Sequence, residues 1–157
     1  MPHETRQATC DERVASHMES RLSDLRLLWK EYCGDEMEPH ELAEFRESFG
    51  VDEPSQDEPG IYDFGLSFDY CPPGTWTDQQ EGFWRWQFST GGPGDELRFF
   101  SSGPTFQPYK IQYWFLDWFD GAHRNLRDRD LDLGRDLWDW FADTETTKYT
   151  QEQAMED

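Results

Sequence analysis

Val14, Met18, Leu22, Leu25, Trp29 and Tyr32 recur at intervals of three and four, one apolar stripe that predicts an amphipathic helix over about 10–33. Thr9 and Glu12 stand at capping-box spacing before it, and Gly34 follows its last turn. A second helix is expected over 39–49. Pro39 sits where its missing donor costs nothing, Leu42, Phe45 and Phe49 face inward, and Gly50 supplies the stop.

After a polar linker at 51–60 (VDEPSQDEPG) the period changes to two. Tyr62, Phe64, Leu66, Phe68 and Tyr70 alternate with Asp63, Gly65, Ser67 and Asp69, which predicts a strand with one buried face. FWRWQFS at 83–89, ELRFFS at 96–101 and YKIQYWFLDWF at 109–119 read as three more strands, separated by Gly- and Pro-rich turns. Strands confined to about 61–119 with short connections imply an antiparallel meander of about four. A third helix is expected over 130–143, with Leu133, Leu137, Trp140 and Phe141 as its apolar face. The segment 144–157 has no apolar period and is expected to be frayed or disordered. The fold class is therefore α+β, a single domain over 1–143 with two N-terminal helices and one C-terminal helix around the sheet.

Charge changes this picture more than anything else in the composition. The 157 residues carry a formal net charge of −20, and 11 carboxylates face one arginine between Glu31 and Glu58. Glu38, Glu41, Glu44 and Glu47 recur every three residues along the second helix, with Glu36, Asp52 and Glu53 beside them. Asp132, Asp136, Asp139 and Asp143 make a second stripe on the third helix. Like charges at helical spacing cost roughly 0.2–0.5 kcal/mol per pair, so such rows weaken the fold unless something uses them. On the sheet's polar face, by contrast, Arg85, Arg98 and Lys110 stand among Asp63, Asp69, Gln87 and Gln112, where cross-strand pairing can neutralise them.

Catalytic signatures are sparse. Asp117, Asp120 and His123 cluster near the end of the fourth strand and could serve as acid, base or metal ligands, but Asp120-Gly121 is also an ordinary turn. Asp128, Asp130, Asp132 and Asp139 match positions of a calcium loop, yet Leu133 stands where that loop needs glycine. Cys10, Cys33 and Cys71 are odd in number and far apart, which favours structural thiols, and Cys71 has no histidine at a recognisable spacing. No metal, cofactor or catalytic residue is expected. The missing apolar leader and membrane-length run suggest a soluble cytoplasmic protein. The charge argues against direct binding of nucleic acid or an anionic membrane.

In size, charge and aromatic core, with the rows Glu38-Glu41-Glu44-Glu47 and Asp132-Asp136-Asp139-Asp143, the chain resembles small acidic anti-defence proteins of phages and plasmids. Some of those anti-restriction and anti-CRISPR inhibitors mimic nucleic acid. The resemblance implies a non-enzymatic inhibitor that binds the basic nucleic-acid channel of a defence complex. The partner-binding residues would then be Glu36, Glu38, Glu41, Glu44, Glu47, Asp52, Glu53, Asp132, Asp136, Asp139 and Asp143. Three alternatives accompany it: an acidic immunity or adaptor protein for a basic partner, a housekeeping protein adapted to salt, or a small hydrolase using Asp117, Asp120 and His123. Three lysines against 11 arginines fit the salt-adapted alternative.

Overall fold

The computed structural model describes residues 9–51, 54, 59–91, 93–118 and 120–156. Among them are one antiparallel sheet and four α-helices, so the α+β class holds with one strand and one helix more than the sequence pattern suggests. The chain forms two compact units, Ser16–Phe64 and Met1–Ala15 with Gly65–Asp157.

The helical unit takes most of α1 (Cys10–Cys33), together with α2 (Pro39–Phe49). In this unit Leu22, Leu25, Leu27, Leu28, Phe45 and Ile61 are buried, whereas Met18, Trp29 and Tyr32 of the anticipated stripe are only half-buried. Glu38 caps α2 through a reciprocal capping box with Glu41, and Gly50 ends it at φ 69°. Residues 60–63 form a 3-10 turn instead of the start of a strand. The Gly60 N–H donates to buried Glu31 Oε1 at 2.6 Å, which turns the chain away from the extended form.

In the second unit β1 (Ser67–Cys71), β2 (Phe83–Ser89), β3 (Gly94–Phe100), β4 (Lys110–Asp117) and β5 (Asp120–Asn125) lie in chain order as a five-stranded meander. Strand β1 starts five residues later than the alternation at Tyr62 suggests. Gly65 at φ 91° interrupts it, and a Cβ there would come within 2.4 Å of Trp86 Nε1. β5 is the unanticipated strand. Asp117 and Asp120 close its hairpin as a register pair, and only Ala122 of β5 is buried, so no alternation announces it.

Register gives the sheet two unlike faces. One is apolar, with the rows Tyr70–Trp84–Phe99–Ile111 and Phe68–Trp86–Leu97–Tyr113. α3 (Asp128–Asp143) lies on it. Trp138 meets Trp84 edge-on at 5.1 Å, Phe141 stacks on Phe68 at 4.1 Å, and Gly134 brings the helix against Ile111. Trp138 is 1% exposed and takes the core place expected for Trp140, which is half-buried. Truncating such a buried aromatic costs about 3–5 kcal/mol.

α4 (Thr146–Glu156) occupies the segment expected to be without structure and contacts β1 and α3. Two hydrogen bonds anchor its first turn. The Trp84 indole N–H donates to the Thr147 carbonyl at 2.9 Å, and the Thr147 hydroxyl donates to the Pro104 carbonyl at 2.8 Å. Polar anchors of this kind leave no hydrophobic period.

Candidate functional site

The two acidic rows differ once placed on their helices. At 3.6 residues per turn, a spacing of three turns the row by about 60° at each step, so it swings by about 120° from Glu41 to Glu47, and Glu38 stands outside the helix as its N-cap. Glu41 is committed to the fold. Its Oε2 accepts from Lys30 Nζ at 2.6 Å, and its Oε1 accepts from the Glu38 backbone N–H. Those bonds, the lysine's foremost, hold its carboxyl below the ordinary glutamate range. Glu36, Glu44 and Glu47 are exposed, and Asp52 and Glu53 lie outside the described residues.

On α3 the spacing of four, three and four keeps Asp132, Asp136, Asp139 and Asp143 within an arc of about 60°, over a rise of about 16 Å. All four are exposed, and among the described residues none forms an ion pair, although Arg135 stands beside them. Asp139 accepts from the Gln107 amide, a neutral donor. Partial desolvation, with repulsion from Asp139 and Asp132, raises the Asp136 carboxyl above the usual aspartate value. The last turn of α3 has no basic residue, so Asp143 meets the negative end of the helix dipole unaided.

Asp117, Asp120 and His123 do not form one site. The register pairs are Asp117–Asp120 and Trp114–His123, three steps apart, so the imidazole lies on the opposite face of the sheet from both carboxylates. Asp117 binds Arg13 at 2.7 Å, and Asp120 Oδ2 accepts the Cys10 backbone N–H at 2.8 Å. Both carboxylates thus serve the start of α1. The calcium-like run is continuous helix from Asp128, which turns Asp128, Asp130 and Asp132 in different directions. Among the described residues no group of three or more His, Cys, Asp or Glu could hold a metal ion. Cys10 and Cys71 are buried, and burial pushes the Cys71 thiol up to about 11.

The second face of the sheet is polar and aromatic. Its rows run Asp69–Arg85–Arg98–Gln112–Asn125 and Ser67–Gln87–Glu96–Trp114–His123. Arg85 and Arg98 face each other directly, an arrangement that repels unless each is neutralised. Both are. Asp69 takes Arg85 in two bonds, of 2.8 and 3.1 Å, and buried Glu96 takes Arg98 Nε at 2.7 Å. Lys110 pairs with Glu81 at 2.8 Å. Neutralisation by pairing, as the sequence suggests, thus occurs, with Glu81 and Glu96 among the partners and Asp63 outside the rows.

No family model, curated protein or solved structure matches the chain. No helix among the described residues is long and apolar enough to cross a membrane.

Proposed function

We propose that this protein is a non-enzymatic acidic inhibitor that occupies the basic nucleic-acid-binding surface of a defence complex, with α3 as its docking element. The supporting observation is the row Asp132, Asp136, Asp139 and Asp143: one helix face, exposed, without an ion pair among the described residues, and with Asp136 raised by partial desolvation and by its neighbours. Each member works against the helix that carries it, through mutual repulsion and, for Asp143, through the dipole. A row of fixed carboxylates presents to a lysine- and arginine-lined channel what a phosphate strand presents, and its arrival displaces the counter-ions of both surfaces. The partner is a basic protein surface, reached in the cytoplasm, with no nucleic acid bound directly.

The test is displacement of labelled duplex DNA from a panel of restriction and CRISPR effector complexes, followed by fluorescence anisotropy from low to high salt. Displacement by the wild-type chain that fades as salt rises supports the proposal. Displacement from none of the panel removes it, and a chain whose folding strengthens with salt while it displaces nothing would instead be adapted to brine.

A further inference from the structure

The second face of the sheet is roofed by the loop 72–82, leaving a cleft of about 620 Å³ that none of the acidic-row chemistry uses. The loop is built to hold its shape. The Gln79 side chain accepts the Trp76 backbone N–H at 3.1 Å and donates to the carbonyls of Cys71 and Glu81 at 3.3 and 2.8 Å. That fixes Trp76 in a stack on Phe83 at 5.6 Å, while leaving the residue 42% exposed.

Arg98 forms the floor opposite. Its guanidinium lies 3.9 Å from the Trp114 ring centre and 4.7 Å from that of Phe83. The Trp114 ring is itself held by a chain of bonds. Its indole N–H donates to Gln112 Oε1 at 2.9 Å, and Gln112 Nε2 donates to Asn125 at 3.0 Å. Glu96 engages Arg98 only through Nε. The Nη1 and Nη2 end has no acceptor among the described residues, yet no buried side-chain nitrogen lacks a partner, so that end opens onto the cleft. Arg85 and Lys110 also line the cleft, but Arg85 is taken by Asp69 through both Nε and Nη2 and Lys110 Nζ by Glu81, whereas Glu96 leaves the end of Arg98 open.

We infer that the cleft binds a small aromatic monocarboxylate, its carboxylate bridging the Nη1 and Nη2 end of Arg98 and its ring lying against Trp76. A planar carboxylate matches a guanidinium end in two parallel bonds, and a guanidinium already stacked and anchored loses little freedom in making them. Asp78, Glu81 and Glu96 line the same space and limit the ligand to a single negative charge, which sets a phosphate dianion at a disadvantage.

The test uses the full chain with 2-naphthoate and its neutral isostere 2-naphthamide, measured by calorimetry and by the indole N–H signals of Trp76 and Trp114. The acid should bind about tenfold more tightly than the amide and shift both indole signals. Trp76→Ala, an exposed change on the loop, should weaken the acid severalfold. Because Arg98→Met alone strands buried Glu96, the paired variant Arg98→Met/Glu96→Gln is used, and it should erase the preference for acid over amide. Equal binding of acid and amide to the wild type would overturn the inference, as would no binding of either. Unchanged preference in the folded double variant, or displacement of naphthoate by equimolar inorganic phosphate, would overturn it too.

Discussion

α2 with its N-cap and α3 each carry a row of four carboxylates, yet only the α2 row is worked into a cap and an ion pair among the described residues. Glu41 lies in its first turn, closes the capping box and meets Lys30, and Arg46 stands in its last turn. In α3 the acid continues to the C-terminal end, with no basic residue in the last turn and, among the described residues, no ion pair to the exposed row. The lesson is that a count of charges does not locate a binding surface. Charge woven into caps and pairs stabilises the fold, whereas charge that the fold opposes needs another reason to be there.

The largest effect that would sharpen this contrast lies in the helical unit. Glu31 contributes to the most acidic stretch of the sequence but is 5% exposed and accepts the Gly60 N–H. Glu31→Ala should cost about 1–3 kcal/mol, the usual penalty for a buried donor left without its acceptor, read by urea denaturation. Glu41→Gln comes next and should destabilise by about 0.2–1 kcal/mol through loss of the lysine pair, since a glutamine oxygen still accepts the capping bond. On α3 the sign should reverse. Asp143→Asn should stabilise by about 0.3–1 kcal/mol by relieving the dipole, and Asp136→Asn by about 0.2–0.5 kcal/mol by relieving its neighbours. If Asp143→Asn and Asp136→Asn both destabilise, the two helices do not differ as argued.

Acid titration separates the same pair with the smallest signal. The Glu41 carboxyl is depressed in the folded state, so its contribution is complete above the ordinary value of 4.5 and is lost as pH falls through the depressed one. Asp136 is raised above 3.8, so it opposes folding while ionised and ceases to do so as pH falls through that raised value. Both substitutions should therefore have smaller effects at acid pH, the first destabilising less and the second stabilising less. Denaturation curves at pH 7 and pH 3 check this.

What the sequence made legible follows from how each element is stabilised. α1, α2 and β2 to β4 are held by large apolar side chains at regular spacing, and that spacing is written in the chain. β5 escapes notice because a strand with Ala122 as its one buried residue has no alternation to show. α4 escapes because hydrogen bonds at Thr147 hold it in place of a stripe. Trp138 and Trp140 both stand next to apolar positions, and the contacts with Trp84 and Phe99 select Trp138. The α3 row was readable from spacing alone, since one helix carries all of it. The α2 row is less legible from spacing, because a period of three drifts around the helix and Glu41 has a partner on α1. The cleft around Arg98 was not readable. Its parts come from four strands and a loop, and register brings them together.

The most direct measurement reverses the α3 row alone. Asp132→Lys, Asp136→Lys and Asp139→Lys together, in a chain whose fold is verified by near-ultraviolet circular dichroism, should abolish displacement of duplex DNA from the target complex. Glu44→Lys with Glu47→Lys on α2 should change it far less. Undiminished displacement by the α3 variant would contradict the account, because the exposed aspartates would then have no part in capture.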